Sequence, residues 1–148
     1  MELKELYQEI ILDHGKNPRN KGKCSEYNHD AHAHNPLCGD KVHIYLKLNK
    51  EKKVENVSFE GEGCAISLAS ASILTDTVMG KDLDVAKKIT DIFLAMIKNE
   101  KEISTNNLNN DQKITLMSLS GVKKFPMRIK CATMAWHALL SAIEKKNN

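Results

Sequence analysis

The spacing of hydrophobic residues along the chain predicts one amphipathic helix, then three strands, then several helices. Apolar side chains recur every three or four positions over residues 2–13, which predicts a helix that ends before Gly15 and Pro18. Three strands are predicted next, over residues 26–34, 40–49 and 54–61. Hydrophobic and polar residues alternate along them, most clearly in the second. These three strands are expected to form a small antiparallel sheet that is covered on one face.

The second half of the chain has a helical pattern. Small and apolar residues follow Cys64 and predict a helix that ends at Gly80, and a further helix is expected after Asp82 or Asp84. The remaining predictions are a polar loop over residues 98–111, a short element over residues 116–122 that Pro126 breaks, and a last helix over residues 131–144 with Trp136 in the core. The fold class is therefore α+β: a small three-stranded antiparallel sheet packed against several helices, with residues 1–148 as a single domain.

Length and charge narrow the classes of function. The chain has 148 residues and a formal net charge of +3, from 22 Lys and Arg against 19 Asp and Glu, so we expect a core that needs no disulfides and no nucleic-acid partner. No apolar stretch approaches the length of a membrane span, and residues 1–6 do not resemble the start of a signal peptide. We therefore expect no membrane association and a cytoplasmic location, where cysteines more often bind metals or react than form disulfides.

Three of the four cysteines stand at places where a loop meets a regular element. These are Cys38, Cys64 and Cys131, and Asp40 follows Cys38 across the flexible Gly39. Three thiolates and one carboxylate would form a tetrahedral site that suits zinc. Spacing alone also leaves open that the cysteines are buried apolar side chains and that Asp40 caps a turn.

The positions of two of these cysteines suggest lowered thiol pKa values. Cys64 and Cys131 are each predicted to precede a helix, whose free N–H groups and dipole would stabilise a thiolate and lower the pKa. A group of basic residues just before Cys131 would act in the same direction, unless it is only a solvated loop; it consists of Lys123, Lys124, Arg128 and Lys130.

Four segments of the chain together resemble a known family. They have the sequences DHGKNPRN (13–20), NPLCGD (35–40), FEGEGCAISLASAS (59–72) and RIKCAT (128–133). In this order they are similar to the NifU-like/IscU superfamily of iron–sulfur cluster assembly proteins, and most similar to its SufU branch.

The resemblance implies a sulfur-transfer function. In SufU-type proteins zinc is bound by the residues that correspond to Cys38, Asp40, Cys64 and Cys131, and the partner is a cysteine desulfurase of the SufS type with a pyridoxal phosphate cofactor. The resemblance further implies that Cys38 accepts persulfide sulfur after a histidine of the desulfurase replaces it on zinc. Arg128 would help to position the partner or the persulfide, and the sulfur would pass to downstream iron–sulfur scaffold proteins.

The chain departs from the scaffold-type IscU pattern at three places. Lys130 stands where those proteins have a histidine before the third cysteine, Phe125-Pro126-Met127 replaces their Pro-Pro motif, and residues 98–122 resemble the insertion of SufU members. These departures favour a zinc-dependent sulfurtransferase. Two alternatives remain open: a scaffold that assembles a [2Fe–2S] cluster or binds iron on the same ligands, and a zinc-stabilised interaction module without chemistry.

The other metal-binding side chains are predicted to have lesser roles. Cys24 lies outside the four segments and is interpreted as an incidental, exposed or half-buried thiol. His29, His32 and His34 resemble a metal cluster, but a solvated face of the sheet is the preferred interpretation, with His32 and His34 on one side of their strand.

Overall fold

A computed structural model describes residues 2–36, 39–99 and 108–144. In chain order its elements are α1 (Leu3–Lys16), β1 (His29–Asn35), β2 (Asp40–Leu48), β3 (Val54–Glu62), α2 (Ala65–Val78), α3 (Leu83–Asn99), α4 (Asn110–Met117), a 3₁₀ helix (Ser118–Lys124) and α5 (Pro126–Glu144). The predicted α+β class with one three-stranded antiparallel sheet is confirmed.

The sheet has the order β1-β2-β3 and separates two different faces. Alternation along β2 directs Val42, Ile44 and Leu46 into the core, where β3 contributes Val57 and Phe59. Helices α5 and α2 cover this inner face, with α5 against β1 and β2 and α2 against β3. Asp40, at one end of the inner face, therefore meets the start of α2 and the second turn of α5.

The core between the helices is built around Trp136 of α5. Its side chain is fully buried and its ring stacks on Phe93 of α3, with the ring centroids 4.3 Å apart. Its Nε1–H donates to Ser70 Oγ of α2 at 3.0 Å, and Ser70 Oγ donates in turn to the backbone oxygen of Ala132 at 2.5 Å. Trp136 is thus a core anchor, as predicted, and it also ties α2 to α5.

The outer face of the sheet is covered at one end only. The chain pairs with β3 at Lys21 and joins β1 at residue 29, and between these points Tyr27 packs edge-on against Tyr45, with the ring centroids 5.0 Å apart. Tyr45 is consequently buried, although the alternation pattern predicts it to be solvent-facing. The other end of the outer face, around His32 and His43, stays open.

Several helix limits differ from those predicted. Helix α1 continues through Gly15 to Lys16, and Gly15 lies against Ala65 of α2. His14 is buried by the same packing, and its Nδ1 lies 2.7 Å from Ser72 Oγ of α2, so its hydrogen bond joins two helices.

The C-terminal region is more helical than predicted. Asn109 and Gln112 form a reciprocal capping box that begins α4 inside the predicted loop 98–111, of which residues 100–107 lie outside the described part. Pro126 begins α5 and does not merely break the preceding element, so the prediction of a last helix from residue 131 is wrong. Proline is favoured in the first turn of a helix, where its missing N–H would have no partner.

Among the described helices, none combines the length and the apolar character that crossing a membrane requires.

Candidate metal centre

Three of the four predicted metal ligands come together at one end of the inner face. One carboxylate oxygen of Asp40, Cys64 Sγ and Cys131 Sγ all lie within 4.8 Å of one another. They come from the first residue of β2, the residue before α2 and the second turn of α5. Residues 24 and 91 positions apart in sequence thus converge because two helices pack on the same sheet.

Asp40 is fully buried and held by its neighbours. Its Oδ1 accepts the backbone N–H of Cys64 at 2.7 Å, and the Cys64 thiol donates to Oδ2 at 3.7 Å. Burial opposes ionisation of Asp40, but the N–H of Cys64 and the nearby Cys131, Ser67 and Cys64 side chains outweigh it and lower the pKa of the carboxyl. The group is therefore an oriented carboxylate that could serve as an anionic metal ligand.

Cys64 has the predicted position at the start of a helix. It is the N-cap residue of α2, with extended backbone, and its Sγ lies 3.6 Å from Ser67 Oγ. Gly63 precedes it with φ of +141°, a conformation that side-chain-bearing residues rarely adopt. This backbone turn aims both the N–H and the thiol of Cys64 at Asp40.

Cys131 differs from the prediction in both position and pKa. It lies five residues after the first residue of α5, it is fully buried, and its thiol donates to Met127 O at 3.6 Å. Burial, followed by the hydrogen bonds to Asp40 and Cys64, raises its thiol pKa well above the usual value. The predicted lowering is wrong for Cys131, because the residue lies inside α5 and its burial outweighs any effect of the first turn of the helix or of the basic residues before it.

Cys38 and Arg128 complete the predicted set. Cys38, the predicted persulfide acceptor, lies outside the described residues, in the connection between Asn35 and Asp40. Arg128 is exposed on the first turn of α5, and within the described ranges no hydrogen bond or ion pair joins its guanidinium to the three clustered ligands. Its role stays a prediction.

Cys24 is buried, with 5% of its surface exposed, so the prediction of an exposed or half-buried thiol is wrong. The segment that contains Cys24 runs along the sheet from a bridge between Lys21 and Phe59 to a hydrogen bond from Asn28 N to Leu46 O, which the sequence pattern of a turn-rich loop does not reveal. It takes no part in the cluster of Asp40, Cys64 and Cys131.

Two residues of the centre were not singled out in the sequence. Gly63 leaves room for the Asp40 carboxylate, and Ser67 contributes a hydroxyl one helical turn after Cys64. The one signal in the sequence is their proximity to Cys64, since neither residue type indicates metal chemistry.

Metal loading of the centre is expected to release protons. A thiol with a raised pKa is protonated at about pH 7.5, whereas a metal binds the thiolate, so Cys131 must lose its proton. The apparent affinity for Zn²⁺ should therefore rise roughly tenfold per pH unit for each proton released. Titration calorimetry in buffers of different ionisation enthalpy measures the number of protons released on Zn²⁺ binding. Cys24→Ser is the control and should release the same number as the wild type. A binding enthalpy independent of the buffer would contradict the expectation.

Known proteins are similar to this chain over most of its length. The NifU-like N terminal domain family matches residues 6–132. A Bacillus subtilis (strain 168) protein named zinc-dependent sulfurtransferase SufU is 41% identical over 144 residues, which is 97% of this chain and 93% of that protein. The iron-sulfur cluster assembly scaffold protein IscU of Streptococcus pyogenes serotype M1 is 38% identical over 146 residues, covering 99% of this chain and 87% of that protein.

A solved structure is also similar to this chain. The crystal structure of FiSufU from Fervidobacterium islandicum AW-1 has a TM-score of 0.81 and 31% identity to this chain, covering 94% of it and 97% of FiSufU. The family match includes Asp40, Cys64 and Cys131, the three residues that the fold brings together. The chain belongs to the NifU-like N-terminal domain family.

Proposed function

We propose that this protein is a zinc-dependent sulfurtransferase of iron–sulfur cluster assembly, which accepts sulfur on Cys38 from a pyridoxal-phosphate-dependent cysteine desulfurase. The observation that supports it most is the buried cluster of Asp40, Cys64 and Cys131 in a chain that is 41% identical to a protein named zinc-dependent sulfurtransferase SufU. The downstream acceptors would be scaffold proteins that build the cluster.

The donor atoms of the cluster suit zinc. Two thiol sulfurs and one carboxylate oxygen match the ligands that Zn²⁺ takes in proteins, and Cys38 would supply the fourth position. Bound zinc would keep the cysteine ligands deprotonated near neutral pH, against the burial that favours the neutral thiol of Cys131. The fit supports zinc as the metal.

Cys38 is within reach of the cluster because of its place in the chain. Two peptide units separate it from Asp40, so their Cα atoms are at most about 7 Å apart. Asn35 and Asp40 are paired across β1 and β2, which closes the connection that contains Cys38 at the same end of the sheet. We expect a cysteine in this connection to be accessible to a partner, which the buried Cys131 is not.

The proposed transfer is a thiol exchange. The thiolate of Cys38 attacks the outer sulfur of the persulfide on the desulfurase, a new sulfur–sulfur bond forms at Cys38, and the bond to the desulfurase cysteine breaks. The electron pair of the broken bond leaves with that cysteine as a thiolate. Cys38 thus gains one sulfur atom and no external oxidant or reductant is needed.

A surface beside the centre has the character of a docking site. Phe125 and Met127 are 60% and 56% exposed at the start of α5, next to the turn that bears Cys131. Exposed basic residues surround them: Lys124, Arg128 and Lys130. Apolar side chains within a positive rim favour a partner that presents an apolar patch with acidic groups, and we assign this role to the desulfurase.

Replacing Cys38 tests the proposed function. Cys38→Ser should reduce the stimulation of a SufS-type desulfurase to the rate of the desulfurase alone, because serine cannot hold persulfide sulfur. Mass spectrometry of the wild type after turnover should find one added sulfur atom on Cys38. Cys24→Ser, which alters a cysteine outside the cluster, should retain full stimulation. Wild-type stimulation by Cys38→Ser would refute the proposal.

The scaffold function is the second candidate, since a relative of 38% identity is named an iron-sulfur cluster assembly scaffold protein. Anaerobic reconstitution with iron and sulfide distinguishes the two. A stable cluster that passes intact to an apo-protein would favour the scaffold, whereas desulfurase stimulation that requires zinc and is lost with a chelator would favour sulfur transfer. Loss of folding on chelation, without stimulation, would leave only a zinc-stabilised interaction module.

A further inference from the structure

A second group of metal-binding side chains lies on the open end of the outer face of the sheet. Asp30, His32 and His43 each place one donor atom within 4.8 Å of the other two. None of them belongs to the centre formed by Asp40, Cys64 and Cys131. His29, His32 and His34 are close together in sequence, but His29 is directed elsewhere, with its Nδ1 2.9 Å from Ala142 O of α5.

The strand register produces this cluster. His32 of β1 and His43 of β2 are directly opposite each other, and their ring centroids are 3.7 Å apart. Asp30 lies two residues before His32, so its side chain is on the same face. His43 Nε2 donates to Asp30 Oδ2 at 2.5 Å, which holds the imidazole of β2 against the carboxylate of β1.

Two of the three donors are well sheltered by their surroundings. The side chains of His43 and Asp30 are only 20% and 17% exposed, whereas His32 is exposed. A cavity of about 610 Å³ lies beside the cluster and is lined by His32 and His43, by the neighbouring His34 and, from β3, by Glu60 and Glu62. The site is therefore partly preformed on one side and open to solvent on the other.

The charge around the cluster favours a cation. Glu60 is paired with His43 in the strand register, and the hydroxyl of Tyr45 donates a hydrogen bond to its carboxylate. Glu62 lies at the rim of the cavity and forms a long ion pair with Lys41, with 3.8 Å between Nζ and Oε1. The carboxylates of Asp30 and Glu60 thus stand on either side of the imidazole of His43.

We propose that Asp30, His32 and His43 form a second metal site, distinct from the centre of Asp40, Cys64 and Cys131, that binds a divalent transition-metal ion. Two imidazoles and one carboxylate are ligands for Fe²⁺, Co²⁺, Ni²⁺ or Zn²⁺, whereas Mg²⁺ and Ca²⁺ take oxygen ligands almost exclusively. The ion binds His43 Nε2 and the Asp30 carboxylate in place of the hydrogen bond between them, and solvent fills the remaining coordination positions.

The two sites are separate in space. His43 and Asp40 are three residues apart on β2, about 10 Å along a strand, and their side chains point to opposite faces of the sheet. Asp40 lies on the inner face with the helices, and His43 on the outer face. One ion cannot be shared between them, so binding at the second site adds a second equivalent of metal.

Cobalt titration of the zinc-loaded protein tests the second site. Protein with one equivalent of Zn²⁺ is titrated with Co²⁺ and followed by calorimetry and visible absorbance. The wild type should bind one further equivalent with the ligand-field bands of nitrogen and oxygen ligands. Cobalt that displaced zinc from the cysteines would instead show the charge-transfer band of a cobalt thiolate. The two outcomes separate this site from the proposed sulfurtransferase centre.

Variants on the same face locate the ion. His32→Gln and His43→Gln should each weaken the second equivalent roughly tenfold or more. His34→Gln is the matched control, because His34 lies on the same side of β1 but outside the cluster of three donors. Circular dichroism and zinc content should not change in any of these variants. The proposal is overturned if no second equivalent binds, if the two cluster variants bind Co²⁺ as the wild type does, or if His34→Gln weakens binding equally.

Discussion

Gly63→Ala is expected to disrupt the centre of Asp40, Cys64 and Cys131 while the rest of the fold persists. A Cβ atom at residue 63 would lie 2.1 Å from Asp40 Oδ1 and 2.8 Å from its Cγ, so the carboxylate could not keep its place. Moving it would also remove the acceptor of the Cys64 N–H. We expect the affinity for zinc to fall by about 10–100-fold or more, since groups that orient metal ligands have effects of this size.

Gly22→Ala separates this steric effect from backbone strain. Gly22 has φ of +130°, close to the +141° of Gly63, but an added Cβ there would meet nothing within 4 Å. Both variants should lose about 1–3 kcal/mol of folding free energy from the unfavourable φ. Only Gly63→Ala should also lose zinc, as measured by competition with a chromophoric chelator. Equal zinc affinities of the two variants would show that Asp40 and the Gly63 turn do not form the site.

Trp136→Ala is expected to destabilise the fold strongly. The indole is fully buried, stacks on Phe93 and donates to Ser70 Oγ, so alanine would leave a large cavity and remove a buried hydrogen bond. Loss of a buried tryptophan costs about 3–5 kcal/mol. Urea unfolding of the metal-free protein, followed by far-UV circular dichroism, measures the change without a contribution from bound metal.

Phe125→Ala is the control for this measurement. It also removes an aromatic ring from the C-terminal region, but Phe125 is 60% exposed. The free energy of unfolding of this variant should therefore stay within about 0.5 kcal/mol of the wild-type value. If Trp136→Ala unfolded at the same urea concentration as Phe125→Ala, the result would contradict the packing described for α5 against α2 and α3.

The core and the metal centre share one structural element. Ser70 links the indole of Trp136 to the backbone of Ala132, and Ala132 directly follows Cys131. The same contact brings α2, which begins at Cys64, against α5. The relative position of the two thiols thus depends on the two buried hydrogen bonds of Ser70, a residue outside the candidate metal ligands.

Much of the fold was predictable from local patterns. The alternation of Val42, Ile44 and Leu46 with polar residues predicted β2 within one residue of its observed end, and the small residues after Cys64 predicted α2. Neighbouring residues determine strand alternation and helix periodicity, so the sequence shows these features directly. The prediction failed at Pro126 because a proline can either end a helix or begin one, and the periodicity does not distinguish the two cases.

The candidate ligands were predictable as residue types, but their environment was not. Asp40, Cys64 and Cys131 were expected to converge, and the structure brings them together. The raised thiol pKa of Cys131 and the burial of Cys24 follow from packing against distant segments, which a sequence pattern does not report. The assignment of Cys38 as sulfur acceptor stays a prediction, because it lies outside the described residues.

By itself, the sequence determined the element types, the α+β class, the family resemblance and the chemistry of the available ligands, because periodicity and residue type are local properties. Only the tertiary structure decided which side chains share a site. It placed Asp40 on the inner face with Cys64 and Cys131, and it paired His32 with His43 on the outer face and separated His29 from them. Strand register and helix packing join residues far apart in sequence, and these depend on the free energy of the whole fold.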